Sequence, residues 1–271
     1  SGVGLHTGEK VSLEICPAPE NHGYKFQRID LPEQPVIKAD VDLVISTERG
    51  TTLEFNGARV YTTEHILAAL YGCQIDNALI KIDAEEIPIM DGSSKPFVDG
   101  ILKVGFVEQE AERVYFELTE NLPWEDIEKG IEFLAIPDIN YRLTVMVDYK
   151  SPVLGTQHAS IYNIGEFNTE IAHCRTFVFF RELEFLATNN LIKGGDLNNA
   201  IVYVDKALSP ETLEKLKVAF KKDSIAIKPN GILDNLTLHH PNEAARHKLL
   251  DVLGDLALIG THIRGKVIAT K

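Results

Sequence analysis

Apolar and polar residues alternate along much of the first third of the chain. Residues 11–15 and Thr52–Phe55 repeat with a period of two, the mark of a strand with one buried face. Residues 36–41 repeat it more weakly. The spacing then changes and predicts a helix over 63–71, capped by Thr62 or Thr63 and stopped at Gly72. A strand follows at 77–82. Asp91-Gly92 reads as a turn, and Ser94 caps a short helix through Ile101. Residues 108–113 are charged and read as a connector. Strands resume at 114–118, 131–136 and 141–147, with a helix at 182–187 and a strand at 200–204. The last helix spans 242–258, with Asn242 as cap and Glu243 at the positive end of its dipole, and a strand at 266–270 closes the chain. Strands, helix, strand, helix are thus read twice.

Two of these helices carry the same spacing. His65 is followed by apolar residues and, seven positions on, by Gly72; His247 is followed seven positions on by Gly254. His247, Asp251 and Asp255 recur at four-residue steps and share one helical stripe, while Leu249, Leu253 and Leu256 face away. Two histidines and a carboxylate are a sufficient ligand set for a catalytic zinc, which keeps three protein ligands and one open position. Glu64, beside His65, is the natural base for a water held there. A carboxylate on a hydrophobic helix is costly to bury without such a partner. Each piece also has a plainer reading: a histidine on an apolar helix is more often a hydrogen-bonded core residue, and a His-x-x-x-Asp stripe a solvated face. Lys248 and Arg246 flank His247 and suit an anionic substrate. The opening Gly2-Val3-Gly4-Leu5-His6-Thr7-Gly8 fits a phosphate loop or a tight turn about equally, with His6 within reach of the site. Thr176 offers a hydroxyl donor. His22, His158, His239, His240 and His262 carry no spacing signal and read as surface or structural.

Composition narrows the function. A net charge of −13 argues against nucleic acid, whose binding relies on Lys and Arg neutralising phosphates. No apolar run is long enough to span a bilayer. Residues 1–5 lack the basic start and apolar stretch of a secretory leader. Three widely spaced cysteines read as reduced thiols of a cytoplasmic protein and exclude a thiolate-only zinc finger. The basic stretch at 215–222 follows Ser209-Pro210 and reads as a surface helix, allowing at most peripheral membrane contact.

Taken together, Ser1 through Gly8, Thr63-Glu64-His65-Ile66-Leu67, Glu86 through Ser93, Arg175-Thr176-Phe177, Gly194 through Asn199, and Arg246-His247-Lys248 through Gly254-Asp255 resemble one family. It is the zinc-dependent UDP-3-O-acyl-N-acetylglucosamine deacetylases of lipid A biosynthesis. The pieces run in the family's order over nearly the whole chain. The resemblance implies an α+β fold of two similar domains, 1–108 and 112–271. Each layers a sheet against helices, and the helices of the two face each other around the site. It implies an insert near 190–205 lining an apolar passage for an acyl chain, with Phe177, Ile192, Ala200 and Ile201 contacting substrate.

The resemblance also implies roles. His65, His247 and Asp251 would hold Zn2+, and Glu64 would be the base. Thr176 and Lys248 would stabilise the oxyanion, Lys248 would meet the diphosphate, and the products would be acetate and an amine. A further family histidine that protonates the leaving amine, the partner of Asp255, finds no match before Lys271. The expectation is that it lies beyond that residue, that a chain ending there turns over poorly, and that a fused dehydratase-like domain is possible. Another zinc amidohydrolase and a metal-free binding protein of the same fold stay open at this point.

Overall fold

The computed structural model describes residues 1–183, 193–195, 198–206, 214, 217, 225–234 and 236–271. Mixed sheets and few helices make the fold α+β. In the first half, four strands lie in the order Leu13–Pro17, Ala78–Ile82, Tyr24–Arg28, Val36–Lys38. Ala78–Ile82 runs antiparallel to Leu13–Pro17 and parallel to Tyr24–Arg28, which in turn is antiparallel to Val36–Lys38. The second half repeats this order and these directions. There His262–Thr270 runs antiparallel to Ile131–Ile136 and parallel to Tyr141–Asp148, which is antiparallel to Thr156–Ile161. Leu122–Asp126 extends that sheet at one edge, and Tyr115–Glu117 pairs with the start of His262–Thr270. In both halves a helix immediately precedes the central strand: α1 (Glu64–Gly72) in the first and α3 (Glu243–Leu256) in the second. The doubled His-plus-seven-Gly spacing therefore falls on topologically equivalent helices. A further helix, α2 (Lys95–Val104), follows the first central strand.

Tyr24–Arg28, Ala78–Ile82 and the first part of Tyr141–Asp148 bury alternate residues, as a sheet covered on one face must. All of α1 is buried, which explains why its sequence is apolar on every side after Glu64 and His65. One core joins the halves, with Phe26, Leu67, Leu70 and Ile80 in the same cluster as Leu143, Leu249, Leu253 and Val267. Full burial of each such side chain contributes roughly 1.5–3 kcal/mol. The Tyr71 hydroxyl accepts a hydrogen bond from the Ile263 amide at 2.8 Å, and its ring stacks on His262.

Several local expectations are corrected. Thr63, Ser94 and Asn242 precede helices but make no side-chain cap. Thr63 and Ser94 already have helical backbone angles, which aim their oxygens away from the free amides of the first turn. Their side chains make tertiary bonds instead: Thr63 donates to the Thr51 carbonyl, Ser94 to the His65 carbonyl, and Asn242 to the His158 carbonyl. Gly72 is the last residue of α1, not a stop beyond it. It leaves room for the Phe167 ring, which a Cβ there would meet at 2.0 Å. The weak strand at 36–41 ends at Lys38, because the Asp40 carboxylate accepts from the Asp42 amide and starts a 3-10 turn. His262 does not precede the last strand but begins it. The helix at 182–187 and the basic helix near 209–222 fall largely outside the described residues. Among those described, no helix is long and apolar enough to cross a membrane.

Candidate metal centre and active site

α1 and α3 cross at close range, because Gly254 lets the Glu64 backbone approach α3 directly. That contact brings the first turn of α1 beside His247 and Asp251, which share a face of α3 at i and i+4. The rings of His65 and His247 stand edge to face, 5.0 Å between centroids. Asp251 Oδ1 lies 3.5 Å from His65 Nε2 and 3.4 Å from His247 Nε2. The same oxygen is buried and has no hydrogen-bond partner. Such an atom carries a desolvation cost unless something positive sits against it. The three donor atoms lie within 4.8 Å of one another and could hold a metal ion. Ligands sharing a tetrahedral zinc at about 2.0–2.1 Å stand about 3.3 Å apart, so the oxygen–nitrogen spacings fit such an ion.

The surroundings set the charge and tautomer of these three side chains. His247 Nδ1 donates to the Cys174 carbonyl at 3.0 Å, which fixes the tautomer and leaves Nε2 with its lone pair. Burial, then the positive charges of His65 and Lys248, push the His247 pKa down to about 4 and keep the ring neutral. For His65 burial works the same way, but the nearby Asp251 carboxylate, then Glu64, carry its pKa above the ordinary value. Burial would raise the Asp251 pKa, yet the charges of His247, Lys248 and His65 hold it far below the usual carboxylate range.

Glu64 is buried beside this group, and its Oε2 accepts from the Thr51 amide at 2.9 Å. Burial first, then the Asp251 charge, raise its pKa. The Thr51 hydroxyl donates to Asp255 Oδ1 at 2.6 Å, so one loop residue holds two carboxylates of the site. Although Asp255 as a whole is exposed, the crowding of its carboxyl, then Glu64 and Asp251, push its pKa up to about 7. Nothing in the sequence pattern marks Thr51. Its loop has no periodicity, and Asp255 lies 204 residues away.

The glycine-rich opening is a turn fastened from within. The amides of His6 and Thr7 and the Thr7 hydroxyl all donate to the buried Glu86 carboxylate. The cluster of amides that a phosphate would need is thus already taken by the protein's own anion. His6 Nε2 lies 3.2 Å from the Arg49 carbonyl, next to the 50–51 turn.

The rim is set by a buried ion pair. Glu243 is fully buried and pairs with the Arg175 side chain at 2.9 Å while also accepting from the Arg175 amide. Burial would raise the Glu243 pKa, but Arg175 lowers it below the usual value. The next residues are thereby fixed: the Thr176 amide donates to the Gly92 carbonyl, and Phe177 begins a short strand parallel to Ile201–Tyr203. The Phe177 ring lies 6.5 Å from the His247 ring and 5.7 Å from Lys248 Nζ. Lys248 donates to Asp251 Oδ2 at 2.8 Å and keeps its side chain about a third exposed. Arg246, by contrast, is committed to the Glu170 carboxylate and carbonyl, so Lys248 is the member of that pair at the centre. Ile201 is buried with Phe179, Tyr203 and Ile232, and Ala200 is half-buried. Ile192 lies outside the described residues.

The family model described as UDP-3-O-acyl N-acetylglycosamine deacetylase matches residues 1–217 and 214–271. The chain belongs to this deacetylase family. A protein of Chlorobaculum tepidum named "Bifunctional enzyme LpxC/FabZ" is 44% identical over 274 residues, covering 100% of this chain and 59% of that protein. A protein of the same name from Porphyromonas gingivalis is 46% identical, covering 99% and 58%. The UDP-3-O-acyl-N-acetylglucosamine deacetylase of Thermosynechococcus vestitus is 41% identical, covering 96% and 82%. The chain therefore spans under two thirds of the length of these two bifunctional relatives and most of the third protein.

Proposed function

We propose that this chain hydrolyses the N-acetyl amide of UDP-3-O-acyl-N-acetylglucosamine, releasing acetate and the free amine, as a zinc-dependent deacetylase of lipid A biosynthesis. The observation that carries the reading is the unpartnered, buried Asp251 Oδ1 between two imidazole nitrogens, with a buried glutamate beside it. His65, His247 and Asp251 would hold the ion. Zinc, when bound there, supplies a Lewis acid and lowers the pKa of a water to about 7. Glu64, held by the Thr51 amide, accepts the proton of the attacking water. Thr176 and Lys248 face the developing oxyanion, a task worth about 3–4 kcal/mol for a well-placed donor. Lys248 also meets the diphosphate, and Asp255, held by the Thr51 hydroxyl, supplies a further carboxylate beside the reacting groups.

Phe177, Ile192, Ala200 and Ile201, within the insert near 190–205 or beside it, line the acyl passage on this reading. The apolar surroundings of Phe177 and Ile201 support it. The chain divides into units 1–108 and 112–271, a reading supported by the repeated strand order. It works in the cytoplasm. Relatives named for two activities support a fused dehydratase-like partner domain in some members. The test is acetate release from UDP-3-O-acyl-N-acetylglucosamine by zinc-loaded protein. Release that disappears with a chelator and returns with zinc supports the proposal, and a loaded protein that releases none overturns it.

A further inference from the structure

A second group of nitrogen and sulfur donors lies outside the site described above. His173 and Cys174 follow the π-helical turn Phe167–Ile171, and His239 and His240 lead into α3. The Nε2 atoms of His173 and His240 stand 2.8 Å apart. With Cys174 Sγ, the donor atoms of these three residues lie within 4.8 Å of one another. Cys174 is fully buried, while His173 and His240 are half-buried and leave an approach from solvent. The His239 ring packs edge-on against His173, 5.1 Å between centroids.

Two imidazole nitrogens facing each other satisfy one another only when one carries the proton and the other does not. A metal ion in the same place uses both lone pairs and the sulfur at once. We propose that His173, Cys174 and His240 form a second site for a divalent transition ion of the zinc class, separate from His65, His247 and Asp251. Two imidazoles and a thiolate are zinc-type ligands and disfavour magnesium or calcium, which require oxygen. On binding, the sulfur–metal bond forms as the thiol proton leaves to solvent, so one proton is released per ion. The nearby Arg246 does not compete for the place, because its guanidinium is held by Glu170 and Asn242. Cys174 links the two sites. Its side chain ligates here, while its carbonyl accepts from His247 Nδ1.

Metal counting on the purified chain, saturated with zinc and then dialysed, tests the assignment. Two ions per chain are expected. Cys174→Ser and His240→Gln should each retain one, and His247→Ala should lose the other. Cobalt loading gives a reading that needs no variant. A thiolate-to-cobalt charge-transfer band is expected from the native protein, since the first site offers only nitrogen and oxygen, and Cys174→Ser should abolish it. One ion per chain unaffected by Cys174→Ser, or a cobalt-saturated native protein without the thiolate band, overturns the second site. Failure of the first site looks different: a single ion, kept by His247→Ala and lost in Cys174→Ser.

Discussion

The α-carbon of Gly254 faces the backbone of Glu64 so closely that a Cβ there would stand 2.0 Å from the Glu64 carbonyl oxygen. No side-chain motion relieves a clash with a backbone atom, so Gly254→Ala must force α1 and α3 apart. Overpacking of this kind costs about 1–3 kcal/mol. The same displacement separates His65 from His247 and Asp251. Denaturant titration should show the lost stability, and chelator competition a weaker hold on the ion. A Gly254→Ala protein with the native midpoint and affinity would show that the helices tolerate the methyl.

Glu64→Gln separates binding from chemistry. The amide oxygen still accepts from Thr51, so the loop and the ligands should stay in place and metal content should not change. On the proposed mechanism this removes the base, and acetate release should fall by about 10²–10⁴-fold. Unchanged turnover would remove Glu64 from the mechanism.

Glu243→Ala leaves the Arg175 guanidinium buried without its partner. Breaking a buried pair on one side costs about 3–5 kcal/mol. The loss should appear in the unfolding midpoint, and Thr176 and Phe177 should shift with the freed segment. Equal stability of variant and native protein would show that water replaces the carboxylate.

Stability should also fall on acidification through His262. Burial, then the Arg113 charge, press its pKa down to about 4 in the folded protein, against about 6.5 unfolded. The unfolded chain therefore binds the proton first. The contribution of this neutral ring is complete above pH 6.5 and declines as the pH falls towards 4, by roughly 2–3 kcal/mol in all. Unfolding free energies measured between pH 7 and 4 should fall less steeply in His262→Gln. Identical slopes would assign the acid sensitivity to other groups.

The sequence was legible where one local pattern decided the outcome. The apolar run of α1, the four-residue stripe of α3 and the alternation of Tyr141–Asp148 each suffice to name their element. The convergence of His65, His247 and Asp251 was legible because His247 and Asp251 share a helical face, and because His65 sits in the matching place of the equivalent helix. What escaped was tertiary. Thr51 reaches Asp255 across 204 residues, and nothing in its own neighbourhood marks it. Thr63, Ser94 and Asn242 look like caps in sequence, but packing turned their side chains to other backbones. The alternation predicts the last strand only from Lys266, whereas it begins at His262. There His262–Arg264 pair with Tyr115–Glu117, before the strand changes neighbour to Ile131–Ile136. His173 has no periodicity of its own, and His240 reads in sequence as surface or structural; only the fold brings them to Cys174.

The central claim is that His65, His247 and Asp251 share one ion that serves the hydrolysis. Asp251→Ala tests it most directly, with bound zinc and acetate release measured on the same preparation. The account predicts one ion fewer per chain than in the native protein and the loss of acetate release with it. A variant that keeps every ion and the native rate would contradict it.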